Sequence, residues 1–262
     1  MKALLVAKLT LRRMLRANYL IALLFIAALV VLVFFNQAKA GSDEDNMKII
    51  NSASGSLYII IALFLTFSPA FLSVFILPDE IASGHMRMNL TKPVSAFTVM
   101  VGHYLAMAVF LTGAALVFSI LLSGSIVMRG GEPGIWVVAY VMHFVPLYAA
   151  YLALANLVAI VFNRPLAFAF SVALVSEELL HRVVMLFARS DLNIVIRKPL
   201  EIIAWLVYEI VPPISRFREV PIAKFIEMDF RIGSYLTVIA YCIVYTALVL
   251  TIAGAVCRRK EI

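Results

Sequence analysis

The sequence predicts an all-α fold: a polytopic integral membrane protein with six transmembrane helices, an N-terminal interfacial helix and a short cytoplasmic coupling helix. Three observations predict it. Of 262 residues, 64% are hydrophobic and 14% charged, and the mean hydropathy is +1.02, whereas soluble domains average about 45–50% apolar and about 25% charged. The apolar residues fall into runs near the roughly 20 residues that a helix needs to cross a bilayer. The basic residues behind the net charge of +7 crowd into the short segments between alternate runs. This balance excludes an ordinary soluble enzyme, a disordered chain and a disulfide scaffold, and residues 1–262 read as a single transmembrane domain. The basic surplus does not call for nucleic acid, because cytoplasmic flanks of spans collect Lys and Arg; the partner it implies is the lipid bilayer.

The first run is Tyr19 to Phe35. Ala38-Lys39-Ala40 resembles a cleavage site, but the apolar stretch exceeds the roughly 7–15 residues of a signal peptide, so it reads as a retained span. The second run is Leu57 to Leu77, the third Phe97 to Met128, and the fourth Ile135 to Phe162. The fifth starts at Leu166 and carries charge from Glu177 onward; the sixth is Tyr235 to Cys257. In lipid each must satisfy its own backbone polar groups, which a helix does. Residues 1–17 form an interfacial helix, in which Leu4, Ala7, Leu11, Met14 and Leu15 share an arc beside Lys8, Arg12 and Arg16.

Six spans put both termini on one side. With that side cytoplasmic, Lys2, Lys8, Arg12, Arg13, Arg16, Arg87, Lys92, Arg164, Arg258, Arg259 and Lys260 are inside, against Lys39, Lys48 and Arg129 in the two short outer loops. The expected location is the cell membrane (the inner membrane in a bacterium). The outer loop 190–233 is charge-balanced with its flanks: Arg182 to Arg231 holds eight basic residues, and Glu177 to Asp229 eight acidic ones. Within it Leu200, Ile203, Leu206, Val207 and Ile210 share a helical face that ends at Pro212-Pro213. Pro199 to Val211 is too short to cross, so it lies in the outer interface or dips in and returns. Cys242 and Cys257 are 15 residues apart on one helix, about 22 Å, too far for a disulfide.

Most catalytic signatures are missing. No glycine precedes a lysine, so there is no P-loop, and CxxC, HExxH and GxSxG do not occur. The informative stretch joins the second and third spans. Asp79 and Glu80 suit a helix start, and Gly84 permits a tight local backbone. Ile81, Met86, Met88 and Leu90 give residues 79–93 an apolar face on the cytoplasmic side, Pro93 ends the segment, and Ser95 is placed to cap the third span. A short helix with exposed Met and Leu is a docking surface or rests on the bilayer.

The order Glu80-x-x-x-Gly84, then Lys92-Pro93-Val94-Ser95, then Gly102 within the next span, resembles the permease subunits of ABC exporters, and more narrowly the type-two permeases. The six-span layout, the basic N-terminal helix, the basic C-terminus and the run from Tyr208 through Pro212 to Phe217 agree with it. The resemblance is motif-specific only from Glu80 to Gly102. Ile81 and Ala82 stand where the family usually has charge, and His103 where it usually has Lys. The resemblance implies a P-loop ATPase subunit that contacts Glu80, Gly84, Met86, Leu90, Lys92 and Pro93. It also implies a second permease, identical or paralogous, and ATP and Mg on the ATPase, with no cofactor or catalytic residue in this chain.

A second constellation is Glu177-Glu178-Leu-Leu-His181-Arg182, two i, i+4 pairs. Intramembrane charge is costly and defaults to a functional hypothesis; mutual neutralisation is the competing reading. His143, on the fourth span, is placed to join this polar cluster. The spelling EExxxR also resembles the first motif of the CAAX-protease family of intramembrane metalloproteases. That family needs histidines further along, and the four here, His85, His103, His143 and His181, all precede Arg182. Neither a metal site nor an enzyme is expected. A membrane scaffold using the 79–93 loop for a non-ATPase partner is the other alternative.

Overall fold

A computed structural model describes residues 2–16, 68–74, 95–128, 136–175, 198–199, 202, 205 and 232–259. Among these the secondary structure is entirely helical. The elements are α1 (Lys2–Arg16), α2 (68–74), α3 (Ala96–Met128), α4 (Trp136–Val161), α5 (Arg164–Val175) and α6 (Ile232–Arg259). Residues 198, 199, 202 and 205 are also helical, with Ile202 and Trp205 exposed.

α3 is apolar on every side, so its sequence alone does not say which face packs. Burial decides it. Met100, His103, Met107, Leu111, Ala114 and Phe118 recur at three- and four-residue steps and are buried, while Val109, Leu116 and Ile120 are exposed. Few polar side chains interrupt the helices, and several satisfy themselves locally. Thr112 donates to the carbonyl of Ala108 at 2.8 Å, Ser119 to Ala115 at 3.0 Å and Thr251 to Ala247 at 2.7 Å, the back-bonding that lets a hydroxyl sit in an apolar helix.

Ser95 starts α3. Its hydroxyl accepts from the Thr98 amide at 3.2 Å and lies 2.8 Å from the Thr98 hydroxyl, and its carbonyl accepts from Val99 at 3.1 Å. This is the N-cap expected from the sequence. Asn163 does the same for α5. Its Oδ1 accepts from the Leu166 amide at 3.2 Å and its carbonyl from Ala167 at 2.8 Å, with Pro165 in the first turn, where a missing N–H costs nothing. Only Phe162 and Asn163 separate α4 from α5. The resulting hairpin is closed by Phe162 on Phe170, ring centres 4.8 Å apart, and by the Tyr151 hydroxyl donating to the Ser171 carbonyl.

α4 is the central helix. From Leu147 to Asn156 every residue but Ala149 is buried, and α4 packs on α3, α5 and α6. Leu147 and Ala150 meet Val238 and Cys242, while Ala153 meets Val249 and Leu250, so α4 and α6 run parallel. α3 is antiparallel to both. Tyr104 packs beside Val249 and Leu250, and Phe97 lies against Gly254. An ideal Cβ on Gly254 would come within 2.7 Å of the Phe97 ring.

α1 packs on α3, but not through the whole arc read from the sequence. Val6, Thr10 and Met14 form the buried stripe, whereas Leu4 is 66% and Leu15 47% exposed. The contact is set by the partner helix. Gly102 leaves a notch in α3 that receives Val6 and the Ala3 carbonyl, and the rest of the stripe follows at four-residue steps.

The helices α3, α4 and α6 match the limits of the third, fourth and sixth apolar runs closely, and α2 lies inside the second run. Among the described residues two segments, Phe97–Leu121 and Leu236–Arg259, are long and apolar enough to cross a membrane; Val145–Val161 and Arg164–Leu174 are shorter apolar helices. The first predicted span lies outside the described residues.

Candidate functional site

The antiparallel packing gathers the start of α3 and the ends of α4 and α6 at one end of the bundle. α5 begins there, after the two-residue turn, and α1 is docked there through Gly102, the seventh residue of α3. This end is basic. It holds Lys2, Lys8, Arg12, Arg13 and Arg16 of α1, Arg164 of α5, and Arg258 and Arg259 of α6, and no Asp or Glu occurs in α1 to α6. At the other end Met128, Trp136 and Ile232 terminate their helices without charge. In sequence, Arg129 and Arg231 adjoin Met128 and Ile232, with Glu132 and Asp229 within three residues, while Lys260 and Glu261 follow Arg259.

Of the residues expected to contact an ATPase, Glu80, Gly84, Met86, Leu90, Lys92 and Pro93 lie outside the described residues. Ser95 and Gly102, from the same motif, are described, and both have structural work: one caps α3, the other seats α1. His103, which stands where the resembled family has Lys, is fully buried. Of the polar cluster, Glu177, Glu178, His181 and Arg182 lie outside the described residues, and only the backbone of His143 is described, within α4.

Two features escaped the sequence reading. An apolar groove of about 470 Å³ runs between α3, α4 and α6, with Phe97, Tyr104, Pro146, Thr246 and Leu250 among its walls. Its size falls within the roughly 300–1,000 Å³ of small-molecule sites. Tyr104 and Thr246, linked by a side-chain hydrogen bond, supply a polar point on an otherwise greasy wall. Both cysteines are buried, and Cys242 lines this groove. The second feature is Asn156, fully buried on α4, with neither amide atom hydrogen-bonded; the hydroxyls of Ser73 and Ser171 are in the same condition. A lone Asn in an apolar run is the sequence signal that could have found it. No cluster of three His, Cys, Asp or Glu suited to a metal occurs among the described residues.

Among the described residues the fold is all-helical, with two helices of membrane-crossing length and apolarity, α3 and α6, which meet at a basic end of the bundle. Compared with known proteins, the sequence matches no family model and no curated protein.

Proposed function

We propose that this chain is the membrane-spanning permease subunit of an ATP-binding cassette exporter, with six spans, both termini and residues 79–93 on the cytoplasmic side. The observation that carries the reading is the run from Glu80 to Gly102. A segment with an apolar face leads directly into the cap of α3, and seven residues beyond the cap α3 receives α1. A push on 79–93 is therefore delivered at the end of the bundle where α1, α3 and α6 meet. The concentration of cations at that end supports a cytoplasmic placement, because positive charge accumulates on the cytoplasmic side.

In this reading a separate P-loop ATPase grips 79–93. ATP-driven closure of two such subunits moves the segment, and the spans pass the motion to a pathway between two permeases, which opens alternately to either side. This chain supplies the pathway and the docking helix; ATP and Mg belong to the partner. Met86 and Leu90 act as the apolar anchors, the kind of residue that dominates interface energies. The test is Met86→Asp. The variant remains in the membrane but no longer co-purifies with an ATPase. An intact assembly with unchanged ATPase activity overturns the reading.

A further inference from the structure

The geometry points to the outward face of α1 as a docking surface for anionic phospholipid headgroups. It goes beyond the transport reading and rests only on α3 crossing the membrane. α1 uses one stripe, Val6, Thr10 and Met14, to pack on α3. The opposite side carries Lys8 and Arg12, one turn apart and exposed, flanked by exposed Leu4 and Leu15 on one side and exposed Leu5 and Leu9 on the other. Cations set among leucines suit neither open water nor a protein core. They suit the boundary between headgroups and acyl chains, where leucines enter the hydrocarbon and long basic side chains reach back to phosphate.

The depth agrees. Gly102, where α1 is pinned, lies five residues inside the apolar segment that begins at Phe97, about 7.5 Å along the axis. Interfacial helices bury their apolar side about 5–10 Å into this boundary. The charge agrees as well. The described helices contain no acid, and Arg164, Arg258 and Arg259 are exposed at the same end, so further cationic side chains there complement an anion. An anionic leaflet attracts such clusters and neutral lipid does not.

The experiment reconstitutes the full chain in nanodiscs of pure phosphatidylcholine and of phosphatidylcholine with phosphatidylglycerol, and measures the unfolding midpoint. Phosphatidylglycerol should raise it by roughly 4–8 °C. Half-molar salt should remove most of that rise, and soluble glycerol phosphate should not reproduce it. The double variant Lys8→Gln, Arg12→Gln should keep the phosphatidylcholine midpoint and lose the rise. A wild-type midpoint indifferent to phosphatidylglycerol overturns the proposal and leaves an acidic protein as the occupant of this face. A double variant that keeps the full rise overturns it too, as does a rise reproduced by glycerol phosphate, which would mean a free-phosphate site. A chain that enters neither kind of disc overturns the membrane-spanning reading itself.

Discussion

Val6 of α1 closes directly over Gly102 of α3. An ideal Cβ at position 102 would lie 2.5 Å from Val6 Cγ1, 2.6 Å from Val6 Cβ and 2.9 Å from the Ala3 carbonyl oxygen. One of these atoms is backbone and another is a branch-point carbon, so neither yields by a rotamer change. Gly102→Ala should therefore cost about 1–3 kcal/mol, the range for overpacking a tight contact, and lift α1 from α3. Gly113, on the same helix, has nothing within 4 Å of a built Cβ. Gly113→Ala should be neutral or stabilise by up to about 1 kcal/mol through helix propensity. Unfolding midpoints and amide hydrogen exchange over residues 2–16 check both. Equal effects at the two glycines would remove the notch as the reason α1 sits where it does.

Ser95 stands between the segment 79–93 and α3, and its hydroxyl is bonded to the Thr98 amide. Ser95→Ala should cost about 1 kcal/mol and fray the first turn of α3. Ser95→Asp should restore the cap, since a carboxylate accepts the same amide bond and is favoured at a helix start. Exchange protection at residues 98–100 is the readout. In the transport reading the frayed variant also weakens coupling, so Ser95→Ala should lower transport per ATP consumed, and Ser95→Asp should recover it.

These two sites show what the linear sequence can carry. The limits of α3, α4 and α6 were legible because apolar runs and breakers are local: Ser95 before Ala96, and Asn163-Arg164-Pro165 after Val161. The buried stripe of α1 was not, because it is selected by a missing side chain on another helix, Gly102, nearly a hundred residues away. The groove beside Tyr104 was hidden for the same reason. α3 and α4 are apolar all round, so nothing local says which side faces a neighbour. Of the candidate contact set, the sequence offered a motif, and the described structure reaches only its far end, at Ser95 and Gly102.

The α4–α5 hairpin depends on a short turn and a few tertiary contacts. The Tyr151 hydroxyl donates to the Ser171 carbonyl in a buried interface. Tyr151→Phe keeps the ring and removes the donor. The expected loss is about 0.5–1.5 kcal/mol, the net worth of one such bond, with faster exchange across α5 and little change in α3. Unchanged protection of α5 would mean that Phe162 and Phe170 hold the hairpin unaided.

Asn156 should behave in the opposite way. Its amide is fully buried on the central helix, and neither its oxygen nor its nitrogen is hydrogen-bonded. A buried polar group in that condition costs about 1–3 kcal/mol relative to a satisfied one, and an apolar group of similar shape avoids the cost. Asn156→Leu, close in size, should raise the unfolding midpoint of the isolated chain in detergent, while Asn156→Ala should gain less, because the space it leaves offsets part of the benefit. In the transport reading this chain works beside partner subunits, so the two stabilities should be compared again in that assembly. If Asn156→Leu is stabilising alone but destabilising in the assembly, the amide finds its partner across an interface formed only there. If Asn156→Leu is destabilising even in the isolated chain, the amide already has a strong partner there, and the reading of an unsatisfied buried group fails.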